Sequence, residues 1–273
     1  MKKVFALALV ILALAGVLAG CNNTNHAMES DVVWGSYEKF TYEVTQNGNS
    51  ETGSYSTELR LVQNESLDVG LAHFDKVTNQ LQINRFSFGD FSFVEVLLFG
   101  KATDKQKLIP IASYREQTTD GVTSYQTIVY DNEKAKTKIY LYSDSSATLD
   151  SVTPVEIGLA SPYYDNSELY TLFRAAGSQI SSWTINVPIA KEGQAVKLSV
   201  STASSATISV PFKSDVKCKT VVYSRSDLAG KKYYAYYAAD AIEINGKKIS
   251  SPLIEIVEND VIFKLTNIEI EQL

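Results

Sequence analysis

Histidine and cysteine are nearly absent from this sequence of 273 residues, which contains two of each. A zinc site typically needs three or four nitrogen or sulfur ligands, more than these residues can readily supply. A nucleophilic side chain needs a neighbouring base, and histidine is the usual one. The Gly-x-Ser-x-Gly, phosphate-loop and dinucleotide-binding motifs are also missing. We therefore expect no metal, no cofactor and no enzymatic activity.

Positive charge is scarce as well, because 25 basic residues stand against 31 acidic ones, a net charge of -6. Phosphate binding needs a basic surface, so we expect no nucleic-acid partner. There are only two methionines, whereas 16 tyrosines and 11 phenylalanines favour strands over a helix bundle. With 45% apolar and 21% charged residues, the composition is that of a globular protein and excludes wholesale disorder.

The N-terminus has the pattern of an export signal. Two lysines precede an apolar run over residues 4–18, which is too short for a comfortable membrane span. The run ends in Leu18-Ala19-Gly20-Cys21, which resembles the signal-peptidase recognition site, or lipobox, of bacterial lipoproteins. The resemblance implies cleavage before Cys21 and attachment of diacylglycerol, with further acyl chains such as palmitate. The alternative is a plain secretory signal cut near Ala19.

These features predict three segments. Residues 1–20 are a lipoprotein signal peptide, residues 21–33 a polar lipidated tether, and residues 34–273 one antiparallel β domain. Several acyl chains anchor a protein durably, so membrane lipid becomes a partner through Cys21. We expect a cell-envelope protein on the extracytoplasmic face of the cell membrane, or on the outer membrane if the cell has two.

Most of the remaining sequence alternates between apolar and polar residues. Phe40, Tyr42 and Val44 share one face, and Asn47-Gly48 then marks a hairpin turn. Gly89-Asp90 predicts a turn or a bulge, and residues 243–248 another tight hairpin. Further alternating runs occupy residues 55–61, 67–71, 81–83, 86–88, 91–93, 139–141, 185–189, 196–200, 208–212, 216–222 and 261–270. One apolar face per strand is typical of antiparallel sheets.

One helix is predicted near residues 166–176. Asp165 and Glu168 have the spacing of a capping box, and Gly177 can end the helix in the left-handed conformation. Apolar residues recur at helical spacing at Leu169, Leu172, Phe173 and Ala176. We expect this amphipathic helix to lie across a sheet, with its apolar stripe filling the concave side.

Several segments resemble a family of uncharacterised bacterial lipoproteins that share a β-rich domain of unknown function. The similar segments are residues 34–42, 108–114, 163–175, 208–212, 218–221 and 233–237. The resemblance implies a mostly β fold, a curved antiparallel sheet or half-barrel with one helix. A two-sheet sandwich is the alternative. The family has no established catalytic residues that could be carried over.

Two side chains could in principle carry chemistry. His73 could bind a metal with Asp68 or Asp75, but a single histidine in a β domain is more often structural. Cys218 shares the phase of Val216, which suggests a core position, where a free cysteine packs as a small apolar residue.

Two polar or aromatic clusters also have alternative interpretations. Asp165, Asn166 and Glu168 could bind calcium, although helix capping explains them without an ion. Neighbouring tyrosines could form a sugar-stacking platform, or could alternate between the core and the surface. They are Tyr233, Tyr234, Tyr236 and Tyr237.

The aromatic residues exceed what one helix can cover, which suggests an open apolar groove. We expect Phe88, Phe93, Phe263 and Leu172 to line it. The chain is then a non-catalytic lipoprotein that binds an apolar or lipid-like small molecule in a concave sheet. A surface protein that contacts envelope polysaccharide is one alternative, and a carboxylate-based hydrolase is another.

Overall fold

The alternating segments form long strands. A computed structural model of the protein describes residues 35–100, 108–176, 180, 182–189 and 193–271. The strands and the helix of these ranges are β1 (Tyr37–Gln46), β2 (Thr52–Val69), β3 (Ala72–Phe88), β4 (Phe91–Phe99), β5 (Pro110–Thr119), β6 (Val122–Asp131), β7 (Lys136–Tyr142), β8 (Val155–Gly158), α1 (Leu169–Ala176), β9 (Ser182–Ile189), β10 (Gln194–Val210), β11 (Lys213–Arg225), β12 (Tyr233–Ala238), β13 (Ile242–Ile244), β14 (Lys247–Ile249), β15 (Leu253–Glu258) and β16 (Val261–Glu271).

Fourteen of the described strands form one antiparallel sheet, in the order β8-β7-β6-β5-β4-β3-β2-β1-β16-β15-β12-β11-β10-β9. Its two edges approach each other, because Tyr163, just after β8, forms a parallel bridge with Asn186 of β9. The backbone N–H of Asn186 donates to Pro162 and its carbonyl accepts from Tyr164, both at 3.0 Å. The sheet is therefore barrel-like and nearly closed. This confirms the prediction of a mostly β fold with a curved antiparallel sheet or half-barrel.

The predicted hairpin turns are present, with one adjustment. Asn245 and Gly246, between β13 and β14, both have positive φ angles, of 52° and 76°, as a tight two-residue turn requires. Gly89 and Asp90 form a turn between β3 and β4 rather than a bulge. Leu71 was predicted to lie in a strand, but it occupies the turn between β2 and β3.

Helix α1 occupies the interior of the barrel-like sheet. The predicted capping box is present as a single 3₁₀ turn, Asn166–Glu168, which leads directly into α1. The prediction of one buried stripe was too narrow, since every residue of α1 except Tyr170 is buried. The sheet surrounds the helix, so its polar residues are buried together with its apolar ones. Gly177, the predicted cap, lies outside the described residues.

The main apolar core joins α1 to the inner faces of β1, β2, β4, β9 to β12, β15 and β16. A smaller cluster covers the outer face of the sheet and includes Val62, Val69, Leu81, Leu98 and Ala112. It forms because the β2–β3 hairpin folds back over β5 and β6. At its tip, the backbone N–H of Leu71 donates to Thr127 Oγ1 at 3.1 Å.

Gly70 permits this close approach of the hairpin tip. A Cβ atom at Gly70 would lie 2.2 Å from Thr127 Oγ1 and 2.7 Å from Tyr114 Cδ2. Its φ angle of 60° also favours glycine. Within the described ranges, no helix has the length and apolar character needed to cross a bilayer.

Candidate ligand cavity

A cavity of about 480 Å³ lies where α1 begins, beside the turns that follow β3 and β15. The cross-strand pairs Phe86–Phe93 and Phe88–Phe91 of β3 and β4 contribute four rings to its wall. Phe263 of β16 faces them, with its ring centroid 5.8 Å from that of Phe86. Alternation along each strand directs these rings to the same side of the sheet. The result is an aromatic wall partly open to solvent.

The structure brings three of the four predicted lining residues together. Phe88, Phe93 and Phe263 all line this cavity. Leu172 does not, because it is fully buried in the core on the other side of α1. Phe86 was missing from the predicted lining although its ring stacks on Phe93, with centroids 5.2 Å apart and an interplanar angle of 11°. Its position in the same alternating run as Phe88 could have indicated it.

One polar wall of the cavity carries a charged pair. Arg115 Nη1 of β5 lies 3.4 Å from Glu95 Oε1 of β4, and the guanidinium carbon lies 4.5 Å from the centroid of Phe93. Asn84 Nδ2 donates to the other oxygen of Glu95 at 3.1 Å. Burial raises the pKa of Glu95, and the charge of Arg115 opposes that shift. Arg115, the one basic side chain among the described lining residues, thus contacts a carboxyl group and an aromatic ring, while its buried Nε has no hydrogen-bond partner.

The opposite wall is formed by the end of β15 and the turn that follows it. Glu258 Oε1 accepts hydrogen bonds from Tyr170 of α1 and from Tyr223, the latter at 2.9 Å. Asp260 Oδ2 accepts from Gln46 Nε2 at 2.8 Å. This wall carries two acidic groups, and both are held by neutral donors.

A buried network fixes the N-terminal end of α1 beside the cavity. Asp165 accepts from the backbone N–H of Ser167 at 2.8 Å, from Ser113 Oγ at 2.6 Å and from the hydroxyl of Tyr130 at 2.7 Å. Glu168 Oε1 accepts from the backbone N–H of Asp165 at 2.7 Å. These contacts account for the acidic residues by capping, so the geometry favours the capping interpretation over calcium.

Two interior amides complete this network. Gln82 Nε2 and Asn84 Nδ2 of β3 both donate to the carbonyl of Ser167, at 2.6 and 3.0 Å. Gln82 Oε1 also accepts from Thr171 Oγ1 at 2.6 Å. The first turn of α1 is therefore held by side chains from the same strand that supplies the phenylalanines.

The histidine and the cysteine of the described ranges, His73 and Cys218, lie away from the cavity. His73 is exposed on the β2–β3 hairpin, with Nδ1 2.7 Å from Asp68 and Nε2 3.2 Å from Asp75. These hydrogen bonds raise the pKa of His73. Cys218 is fully buried, its Sγ donates to the carbonyl of Val216 at 3.4 Å, and burial raises the pKa of its thiol to about 11. Across the part of the chain that the structure describes, no cluster of three or more His, Cys, Asp or Glu could hold a metal.

The tyrosines of β12 alternate between the two faces of the sheet. Tyr233 and Tyr237 are buried, whereas Tyr234 and Tyr236 are half-buried. The four rings therefore do not share one face, and their arrangement agrees with the alternative in which they alternate between the core and the surface. The lipobox residues Leu18, Ala19, Gly20 and Cys21 lie outside the described residues, so their roles stay predictions.

Comparison with known proteins bears on the fold only. No protein-family model and no curated protein matches this sequence. A solved structure of similar fold is a β-barrel-like protein of the domain of unknown function DUF1849 from Brucella abortus. The TM-score is 0.50 with 10% sequence identity, over 88% of this chain and all of that one. The two proteins thus share a barrel-like β architecture, which agrees with the expected uncharacterised β-rich domain.

Proposed function

We propose that this chain is an acylated envelope lipoprotein whose barrel-like domain binds an apolar or lipid-like small molecule without transforming it. The observation that carries the proposal is the aromatic wall of the cavity, formed by Phe86, Phe88, Phe91, Phe93 and Phe263. Ligand sites are typically concave, mostly apolar and about 300–1,000 Å³ in volume, with a few polar groups that orient the ligand. A cavity of about 480 Å³ falls within that range.

The state of the acidic groups supports binding rather than hydrolysis. Glycoside hydrolysis by two carboxyl groups needs one to give a proton and the other to act as base or nucleophile. Here Glu95 is paired with Arg115, and Glu258 accepts hydrogen bonds from two tyrosines. Both groups are engaged in contacts that stabilise the walls.

The direction of β1 supports a cavity that is directed away from the anchor. Gln46, at the end of β1, contacts Asp260 at the cavity. Tyr37 begins the strand nine residues earlier, about 30 Å away at the usual rise of a strand. A tether from Cys21 would therefore join the domain at the end opposite the cavity.

Binding can be tested with the neutral fluorescent probe N-phenyl-1-naphthylamine and the chain without residues 1–20, carrying Cys21→Ser. We expect saturable binding that Phe263→Ala weakens about tenfold, a loss of about 1.4 kcal/mol. Phe212→Ala is the matched control, because Phe212 is 39% exposed and lies outside the cavity lining. Absence of binding, or equal losses in both variants, would contradict the proposal.

Anchoring has a separate test. In the source cell, metabolic labelling with a fatty acid should tag the wild-type chain and not Cys21→Ser, which should accumulate as an uncleaved precursor. Labelling of the variant would show that another residue is the acceptor.

A second candidate function, contact with envelope polysaccharide, rests on a different set of tyrosines. Tyr114, Tyr125 and Tyr142 stack on the outer face of β5, β6 and β7, with centroids 6.5 and 5.3 Å apart. They line a depression of about 520 Å³. Electrophoresis through polysaccharide-containing gels should show retardation that Tyr125→Ala removes and Tyr234→Ala preserves. Equal mobility of all three chains would reject this candidate.

A further inference from the structure

The cavity lining carries more acidic than basic side chains. Glu95, Glu258 and Asp260 are acidic, and Arg115 is basic. Glu95 and Arg115 pair with each other, at 3.4 Å. The lining contains no other basic side chain that could pair with Glu258 or Asp260. Lys231, whose charge lowers the pKa of Asp260, lies outside the lining.

Glu258 accepts two hydrogen bonds from phenols. Tyr170 and Tyr223 both donate to its Oε1, and its Oε2 makes no hydrogen bond within the described ranges. Burial, and then the charge of Glu258, raise the pKa of both phenols well above 10, so they remain donors. At Asp260, the hydrogen bond from Gln46 lowers the pKa of the carboxyl group. Both acidic side chains therefore offer acceptor oxygens at this wall of the cavity.

The aromatic wall also favours positive charge. Ring faces carry negative potential, and a cation within about 6 Å of a ring centroid gains about 0.5–2 kcal/mol, most where water is excluded. Arg115 already occupies such a position over Phe93. The neighbouring rings Phe86, Phe91 and Phe263 belong to the same lining as the acidic wall.

We propose that the cavity selects a cationic amphiphile, whose apolar chain lies against the phenylalanines and whose ammonium-type group faces Glu258 and Asp260. This inference rests on the proposed binding function and specifies its ligand class. An anionic head group, such as a fatty-acid carboxylate, would meet two unpaired acidic groups, while Arg115 is already paired with Glu95. A cationic head group would find complementary charge on one wall and aromatic faces on the other.

The test compares three probes with the same twelve-carbon chain: dodecyltrimethylammonium, dodecyl maltoside and dodecanoate. Each is titrated calorimetrically below its micelle concentration into the unacylated chain used above, while circular dichroism monitors the fold. We expect the cation to bind about tenfold more tightly than the neutral probe, and dodecanoate to bind most weakly.

Two variants locate the effect. Glu258→Gln and Asp260→Asn should each lower the affinity for the cation by a larger factor than the affinity for dodecyl maltoside. Glu156→Gln, which removes the same charge from an exposed position in β8, should leave all three affinities unchanged.

The outcomes separate the two proposals. If none of the probes binds, the proposed binding function is wrong. Equal affinities for the three probes, or tightest binding of dodecanoate, would leave that function standing and overturn the choice of a cationic ligand. Equal losses in Glu156→Gln and Glu258→Gln would also overturn it, because the effect would then reflect net charge alone.

Discussion

The two ends of α1 both carry buried ionisable groups, but these groups are compensated differently. At the C-terminal end, Arg174 forms an ion pair with Glu38 of β1, and Nε donates to the carbonyl of Ser250 at 3.0 Å. The guanidinium carbon lies 5.1 Å from the centroid of Phe40. At the N-terminal end, the acidic groups cluster around the helix start with neutral donors, and the cavity opens beside them.

Both arrangements suit the helix dipole, which favours acidic groups at the N-terminus and basic groups in the last turn. The difference lies in how the charges are compensated. Arg174 and Glu38 neutralise each other within the core and join the last turn of α1 to β1. Near the other end, Glu258 and Asp260 have no basic counterpart in the cavity lining. The ionisable groups of one end are therefore paired within the core, whereas two acidic groups near the other end face the cavity.

Breaking the ion pair at the C-terminal end of α1 should have the largest effect on stability. Glu38→Gln leaves Arg174 buried without its counter-charge, and loss of one partner of a buried pair costs about 3–5 kcal/mol. Both side chains are at most 3% exposed, so solvent cannot compensate. The double variant Glu38→Gln/Arg174→Met should recover part of the loss in urea unfolding. A loss below about 1 kcal/mol would mean that the pair is not an isolated buried pair.

A substitution in the apolar core beside α1 should have the next largest effect on the free energy of unfolding. Leu172 is fully buried, and Leu→Ala at such positions costs about 2–5 kcal/mol through lost transfer energy and a residual cavity. Leu141→Ala is a suitable control, since Leu141 is 51% exposed. Urea unfolding of both variants measures the difference. Equal effects would imply that α1 is not enclosed by the sheet.

The sequence predicted the start of the helix and the turn between β13 and β14, because both depend on residues that are close along the chain. The capping box of Asp165 and Glu168 involves residues three apart, and Asn245-Gly246 alone requires the turn that it forms. Both signals depend on neighbours along the chain, so no knowledge of the tertiary structure was needed.

The polar interior was not predictable in the same way. Gln82 and Asn84 face the interior, whereas Leu81 and Ile83 between and beside them belong to the outer apolar cluster. Alternation separates two faces but does not say which one is inside, and the β2–β3 hairpin makes the outer face apolar as well. An alternating run therefore did not show that the polar side chains of β3, and not its leucine and isoleucine, face the interior.

The buried ion pair shows the same limit over a longer distance. Glu38 shares the phase of Phe40 and Tyr42, which could have indicated a buried acidic group. Its partner Arg174 lies 136 residues away, in the last turn of α1, and no local pattern connects the two residues. Phase predicts burial within one strand, whereas pairing depends on how distant elements meet.

Loss of the cap at the N-terminal end of α1 should lower the free energy of unfolding by a smaller amount. Asp165→Ala removes the acceptor of the Ser167 N–H, and loss of an N-cap costs about 0.5–2 kcal/mol. Because Asp165 also accepts from Ser113 and Tyr130, we expect the upper part of that range. Asp165→Asn keeps an acceptor and should lose less in the same unfolding experiment. A loss as large as that of Glu38→Gln would remove the distinction between the two ends.

At low pH, Glu168→Gln should change the free energy of unfolding least of all these variants. The glutamine can keep the capping hydrogen bond, because its side-chain oxygen also accepts at this position. Burial, and then the charge of Asp165, raise the pKa of Glu168 well above its ordinary value of 4.5. The folded state therefore binds this proton more tightly than the unfolded chain. The free energy of unfolding consequently falls as the pH rises above about 4.5.

Glutamine at this position removes that loss. The variant and the wild type should be similarly stable near pH 4.5, and Glu168→Gln should become the more stable of the two as the pH rises to 8. Urea unfolding at both pH values measures the difference, in which the titration of groups common to both chains largely cancels. Glu156→Gln, an exposed change of the same kind, should show no such trend. A pH-independent difference would mean that Glu168 is ionised in the folded protein, and the helix start would then hold a buried charge as the other end does.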